Sequence, residues 1–418
     1  MDASEVPNAS GASFARALAE ARPIVVAALA SHLSDLDGAE EAFADACVAL
    51  TESGAKPDHL AGWLITVGKR KAIDRIRKRD ARRRADDGAM EIAEGEMDNI
   101  IQLPEAIPDE RLRLIFICCH PALALEARAA LTLKMICGLD VPAIAELFLT
   151  SEATMFARIT RAKAKIRDAR VSFELPPRRE WPERVGAVLL ALELAYTSAY
   201  SDAGGSRAGN EGGELAEEVE RLATMLAELL PDEPEVLGLA ALVTLARSRE
   251  AARVDAQGAM VPLSQQDTTR WDRARIDRAR AWMDAASAHA KPGPYQVMAA
   301  IQLTHARRLF DGVVDWAAIA TLYDALMIMR AGPIVALNRA LAVAEIEGPE
   351  EGLAQVEAIE AKGLENARPF HVARARLLER MGRGEDALAT LDAALKRDPP
   401  EAERLYLDKW RERMLEHS

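Results

Sequence analysis

The chain has 418 residues, enough for two to four domains, and half of them are hydrophobic while only 5% are aromatic. No run of about 18 uncharged apolar residues exists, which excludes an expected transmembrane helix. The formal net charge of −13 argues against a nucleic-acid partner if it is taken as a whole, so its distribution along the chain matters. Ala and Leu dominate, both strong helix formers, and no alternating Val, Ile or Thr run demands a strand; an all-α fold is expected. The opening MDASEVPNASGASF has neither a basic n-region nor an apolar core and does not read as a secretory signal. Cys47, Cys118, Cys119 and Cys137 give no disulfide framework and fit a reducing cytoplasm.

Residues 1–13 read as disordered. Phe14–Leu33 reads as an amphipathic helix. Ser34–Leu50 follows as a helix with Asp37, Glu40, Glu41 and Asp45 on one face and Ala39, Ala42, Phe43 and Ala46 on the other. The acidic face is either solvated or a docking surface for a basic partner. After a loop at Gly54–His59 comes LAGWLITVGKRKAIDRIRKRDARRR. Leu60, Trp63, Leu64 and Val67 form one apolar stripe, whereas Ile73 and Ile76 fall on another side of an ideal helix. Either the helix bends near Gly68 or its second half meets a different neighbour. Lys69, Arg70, Lys71, Arg75, Arg77, Lys78 and Arg79 follow the aromatic anchor directly. Aromatics beside cations suit melted nucleic acid, because bases stack while cations hold phosphates; Trp63 alone is equally a core residue.

Residues 85–107 are acidic with little apolar periodicity and read as a linker. Pro108–Arg128 and Ala129–Cys137 read as helices, the second ended by Gly138. Cys118-Cys119-His120 lacks the spaced pattern of a zinc site and reads as a buried helix end stopped by Pro121. A short helix over Val141–Phe148, a turn at Leu149-Thr150 and an N-cap at Ser151 lead into a second helix reaching about Arg170. Met155, Phe156, Ile159, Ala162, Ile166 and Ala169 share one face. Arg158, Arg161, Lys163, Lys165 and Arg167 lie on the other. This is the layout of a helix-turn-helix, or of a helical hairpin with a solvated basic face.

A Pro-rich joint spans about 171–184, and the rest, 185–418, is Ala- and Leu-rich helix. Breaks are expected at 201–213, 229–237 and 290–296. The Gly-rich stretch lacks the phosphate-loop pattern and a preceding strand. Near the end Glu351-Gly-Leu-Ala-Gln-Val aligns with Asp386-Ala-Leu-Ala-Thr-Leu at an offset of 35, each preceded by an Ala-rich helix. That spacing suggests tetratricopeptide-like helix pairs, which stack to bury faces that one unit cannot bury alone.

The charge separates along the chain. Residues 1–170 hold 23 Lys+Arg against 26 Asp+Glu, and the remainder 30 against 40. Trp63–Arg84 alone carries 10 basic residues against Asp74 and Asp80. Screening limits the reach of distant charge to roughly 8–10 Å, so local basic patches still meet phosphates.

The order of these elements resembles a bacterial RNA polymerase sigma factor of the extracytoplasmic-function type. DLDGAEEAFADAC looks like the segment that docks on the polymerase clamp. GWLITVGKRKAIDRIRKRDARR looks like the W-L…A-x-D-x-x-R-(R/K)-x-R helix, and AIAELFLTSEATMFARITRAKAKIR like the I-A-x-x-L-x-x-S-x-x-T-V-x-x-R-x-x-R-A pattern. The resemblance covers residues 14–170; RLRLIFICCHPAL, QQDTTRWDRARI and GPYQVMAAI look like the subgroup with a tetratricopeptide-like C-terminal domain. It implies two small sigma domains, 14–84 and 108–170, followed by a helical regulatory domain. Asp37, Glu40, Glu41 and Asp45 would contact core RNA polymerase. Trp63, Lys69, Arg70, Lys71, Asp74, Arg75, Arg77, Lys78 and Arg79 would capture and open the −10 element of promoter DNA. Ser151, Glu152, Thr154, Arg158, Arg161 and Lys165 would read the −35 element, with Glu152, Thr154 and Arg158 at base edges and Arg161 and Lys165 on phosphates. The sequence departs from the pattern at Phe148, at Met155, and at Leu149, where the turn usually has Gly.

A helix-turn-helix regulator with a helical sensor domain is the alternative, but it leaves residues 35–84 unexplained. The seven histidines are scattered, and no H-E-x-x-H, G-x-S-x-G or Walker sequence is present, so no catalytic residue, metal or cofactor is expected. The tail is expected to meet a regulatory protein or ligand, no membrane is expected as a partner, and the tail is expected to mask the promoter contacts intramolecularly.

Overall fold

The computed structural model describes residues 9–87, 107–148, 150–169, 171, 173, 176–202, 211–359 and 367–416. Among the described residues there is no strand, only an isolated bridge between Val254 and Met260, so the fold is all-α. The chain divides into two compact units, Met1–Leu194 and Ala195–Ser418.

The first unit holds α1 (Ala9–Leu33), α2 (Leu36–Ser53), α3 (Leu60–Asp87), α4 (Ile107–Cys118), α5 (Leu125–Met135), α6 (Val141–Leu147), α7 (Glu152–Asp168) and the start of α8 (Trp181–Asp202). Five residues of the expected disordered stretch belong to α1 instead. Residues 9–13 contain no proline or β-branched residue, and an existing helix gains one bond for each residue it adds. Residues 1–8 lie outside the described residues, as does most of the expected linker, 88–106.

Asp35 caps α2 by accepting from the Asp37 amide at 3.2 Å, and Gly54, at φ +61°, ends it. The helix α3 runs unbroken through Gly68, so its change of face reflects a neighbour rather than a bend. A Cβ at Gly68 would stand 3.0 Å from Leu29 Cδ1 and 3.2 Å from the Ala42 carbonyl oxygen. Leu64, Gly68 and Ala72 thus form the line along which α3 is pressed onto α1 and α2. Ile76, beyond that contact, is exposed. A Gly68→Val variant is expected to lose about 1–3 kcal/mol by overpacking, measured by chemical unfolding of the first unit.

The expected single helix over Pro108–Arg128 is split in two. Pro121 has no N–H to give and its ring clashes with the preceding turn, so α4 stops at Cys118. The turn is held by Arg128, which donates to the carbonyls of Leu123 and Pro121 at 2.9 and 2.8 Å. Cys118 and Cys119 are fully buried there, as the sequence suggested. Burial pushes the Cys118 thiol well above its ordinary value and Cys119 up to about 12, so both are neutral. The joint before α8 is docked on α4: Trp181 donates to the Pro176 carbonyl at 2.9 Å, its ring centroid lies 5.2 Å from that of Phe116, and Arg184 donates to the Phe116 carbonyl.

The second unit holds the end of α8, then α9 (Glu211–Leu229), α10 (Pro234–Arg247), α11 (Arg273–Ala288), α12 (Pro294–Ala306), the single turn α13 (Arg308–Asp311), α14 (Trp316–Met329), α15 (Pro333–Glu347), α16 (Pro349–Ile359), α17 (Arg368–Arg380), α18 (Gly384–Leu395) and α19 (Glu401–Glu416). The expected breaks are shorter than their sequences suggested. Residues 211–213 are already helical, and prolines open α10 and α12 at the position where a missing N–H costs nothing. The helix α10 is apolar on all sides and buried from Val236 to Ala246, packed among α9, α11 and α12. Its Glu235 carboxylate accepts from the amides of Tyr295 and Gln296 at 3.1 and 3.2 Å, neutralising the positive end of α12.

The pairs α15/α16 and α17/α18 start 35 residues apart, matching the sequence offset. Ala340 and Ala375 are equivalent and both fully buried, as are Val356 and Leu391. Gly352 occupies the place of Ala387 because a Cβ there would meet the Ala344 Cβ at 2.4 Å.

His305 sits edge-on to Trp316 at 5.4 Å, and burial, reinforced by Arg249 and Arg308, lowers its pKa to about 4. The unfolded chain therefore binds a proton that the folded chain refuses between about pH 6.5 and pH 4, and stability falls as pH falls through that window. The loss attributable to His305 is at most about 3 kcal/mol. Denaturant unfolding of a His305→Gln variant should show a correspondingly flatter pH dependence.

Candidate nucleic-acid interface

Three helix faces of the first unit carry the charge. On α3, Arg70, Lys71, Asp74, Arg77 and Lys78 are exposed, whereas Lys69, Arg75 and Trp63 are half-buried. Trp63 is thus neither fully buried nor fully presented to solvent. The side chain of Arg79 lies outside what is described. Arg75 does not point away with the others: its guanidinium pairs with Glu41 at 2.7 Å and with Asp45.

On α7 the cap forms as the sequence required, with the Ser151 hydroxyl accepting from the Thr154 amide at 3.3 Å and lying 2.8 Å from the Thr154 hydroxyl. Met155, Ile159, Ala162 and Ile166 are buried against α5 and α6. Phe156 and Ala169, expected on the same face, are exposed; Phe156 is 63% exposed. At 100° per residue Phe156 lies a full step round from Met155, and the shallow contact with a seven-residue α6 covers only a narrow stripe. The outer face presents Glu152, Thr154, Arg161 and Lys165 to solvent. Arg158 lies over the Phe148 ring at 5.5 Å, and Arg161 donates to the Ala157 carbonyl at 3.1 Å. Leu149, where positive φ was in question, lies outside the described residues.

On α2 the four carboxylates are not free. Glu41 and Asp45 hold Arg75; Asp37 lies 2.9 Å from the Lys163 ammonium, which also binds Glu40, and Glu40 receives Arg22 at 2.7 Å. Burial alone would lower the Lys163 pKa, but the hydrogen bonds and charges of Glu40 and Asp37 outweigh it and raise it. Sequence reading placed Lys163 on the outer basic face and did not single out Arg22. The available signal was weak: Lys163 is one turn from both Ile159 and Ile166, on the border of the apolar stripe.

A helix capped by Ser151, with one face packed on two preceding helices and the other lined by cations, is a DNA-reading helix-turn-helix in geometry. Residues 113–166, from α4 through most of α7, match the family model of sigma-70, region 4. The chain carries a sigma-70 region 4 domain. The chain also matches, over residues 184–287, a family of unknown function, DUF6596, which spans α8 through most of α11. Over 397 residues, 94% of its length, it is 38% identical to a protein of Rhizobium meliloti (strain 1021) described as an uncharacterized protein, and the match covers 93% of that relative. The chain belongs to the family of that relative. Sigma-70 region 4 is a DNA-binding regulatory domain and indicates a DNA-binding role in transcription. No helix among the described residues is long and apolar enough to cross a membrane.

Proposed function

We propose that the chain is a sigma factor of the extracytoplasmic-function type, acting in the cytoplasm, which binds core RNA polymerase, opens the −10 element with α3 and reads the −35 element with α7. The observation that carries this reading is the pair of exposed basic helix faces, on α3 and α7, in one unit with the acidic α2. A plain helix-turn-helix regulator needs only α4–α7 and gives α1–α3 nothing to do. Asp37, Glu40, Glu41 and Asp45 serve the polymerase clamp. Arg70, Lys71, Arg77 and Lys78 hold the phosphates of the melting strand while Trp63 supports the helix behind them. Ser151 sets the first turn of α7, from which Glu152, Thr154 and Arg158 meet base edges and Arg161 and Lys165 meet phosphates.

The second unit is a tetratricopeptide-like regulatory domain, a reading supported by the 35-residue recurrence of α15/α16 in α17/α18. It modulates initiation by binding a protein or a small ligand, and masks the promoter contacts until it does. Deleting residues 203–418 is expected to raise promoter-specific transcription several-fold; this cut keeps Trp181 and Arg184 on α4. Lost transcription by a soluble fragment would make the tail a required brace.

The reading is tested by titrating labelled chain with purified core RNA polymerase. Saturable binding that Glu41→Lys with Asp45→Lys weakens at least about tenfold is expected, since like-charge substitution at a docking surface typically costs more than 1 kcal/mol. Failure of the wild-type chain to bind would favour the regulator.

A further inference from the structure

One face of the second unit gathers positive charge against the balance of the rest. Residues 171–418 hold 40 acidic residues against 30 basic ones, yet residues 270–280 and 303–311 together carry seven arginines against three aspartates. On α11, Arg273, Asp277 and Arg280 recur at helical spacing and share one face, while Ile276, Ala279 and Ala286 are buried. The last turns of α12 and the single turn α13 bring Leu303, Thr304, Arg307, Phe310 and Asp311 against that face, and Gly312, at φ +71°, ends α13. Arg280 and these five residues line a cleft of about 430 Å³. Arg273 and Arg280 both lie over the Phe310 ring, 5.1 and 5.4 Å from its centroid. Arg273 is 3.8 Å from Asp277, and Arg307 is 3.1 Å from Asp311. Arg280 has no acidic partner among the described residues.

We propose that this cleft binds a small phosphorylated molecule carrying hydroxyl groups, with its phosphate held by Arg280 and Arg307 and its organic part laid on Phe310 and Leu303. This names a ligand for the regulatory domain: its regulatory meaning rests on the sigma-factor reading, and the binding itself does not. Two guanidiniums drawn to one ring repel each other, and a phosphate dianion beside them relieves that repulsion. The planar fork of an arginine matches phosphate oxygens and stays charged at any working pH. The Thr304 hydroxyl already donates to the Ala300 carbonyl at 2.9 Å, so toward a ligand it only accepts. The Asp311 carboxylate accepts as well. Both therefore call for donors on the ligand, which hydroxyls supply. The same carboxylate repels an extended polyanion running past the cleft. The volume falls within the about 300–1,000 Å³ of small-molecule sites, where an apolar wall with a few convergent polar groups is usual.

The test titrates the full-length chain, without polymerase, with adenosine monophosphate and with inorganic phosphate, read by calorimetry. Saturable binding of the nucleotide at one site per chain is expected. Arg280→Glu and Arg307→Glu are each expected to weaken it at least about tenfold, since a like charge now faces the phosphate. Phe310→Ala should weaken the nucleotide and leave inorganic phosphate unchanged. Arg278→Glu, exposed on α11 but outside the cleft, should bind as wild type does. Arg280, Arg307 and Phe310 are all exposed, so these variants keep the helical core, which circular dichroism checks. No saturable binding of either probe by the wild-type chain would overturn the site. Equal weakening by Arg278→Glu would reduce it to diffuse charge and overturn it too. Binding of duplex DNA in place of both probes, lost in Arg280→Glu, would overturn the small ligand and assign the patch to nucleic acid. None of these outcomes depends on whether polymerase binds.

Discussion

Replacing Arg158, Arg161 and Lys165 together by alanine is expected to weaken binding of duplex promoter DNA by about a thousandfold, or roughly 4 kcal/mol. On the proposed reading one base-edge contact and two phosphate contacts are removed, and nothing in the helix core is touched. Arg161 and Lys165 are exposed, Arg158 only partly covered by its contact with Phe148, while the packing face is made by Met155, Ile159, Ala162 and Ile166. The two losses separate by salt. The phosphate contacts release counterions, so the slope of log affinity against log salt is expected to become shallower by about 2. The Arg158 contribution is expected to remain at high salt and to relax the preference at one base position. Fluorescence anisotropy across a salt series reads both. An unchanged affinity would mean that α7 faces something other than DNA.

Phe370→Ala is expected to cost the second unit about 3–5 kcal/mol, the usual range for deleting a fully buried ring. Phe370 is fully buried at the start of α17, edge-on to His371 at 5.4 Å, within the cluster that includes Leu337, Val356, Leu377, Leu407 and Trp410. That cluster draws on α15 through α19, so a cavity there loosens the contact between successive helix pairs and not just one helix. Each kcal/mol lowers the midpoint of a unit of this size by about 2–4 °C, so thermal unfolding should shift by roughly 10 °C. A shift below a degree or two would mean that the neighbours collapse into the space.

The local signals were legible because they are local. Ser151 announces its cap through its own hydroxyl, Gly54 the loop that it opens, and the 35-residue offset its paired helices. Pro121 was legible too, yet periodicity carried the expected helix past it to Arg128; steric exclusion by a proline outranks an apolar pattern. Phe156 fits the apolar period but stays exposed, because a seven-residue partner helix has little surface with which to cover it. Gly68 showed in the sequence only as a doubt, a change of face in α3. Its meaning lies in Leu29 and Ala42, which the sequence cannot place beside it. The pairs Lys163–Asp37 and Arg75–Glu41 are the least legible of all. Opposite charges abound in a chain that is 28% charged, and only the fold selects which of them meet.

The central claim, that α2, α3 and α7 together direct a polymerase to promoters, is tested most directly by run-off transcription. Purified core RNA polymerase, the full chain and a library of promoter fragments are combined, and start sites are sequenced. Defined starts that appear only with the chain, and that vanish when Arg77 and Lys78 are changed to alanine, are the expected result. No starts, with duplex binding through α7 intact, would contradict the account and leave a DNA-binding regulator whose first three helices still need a purpose.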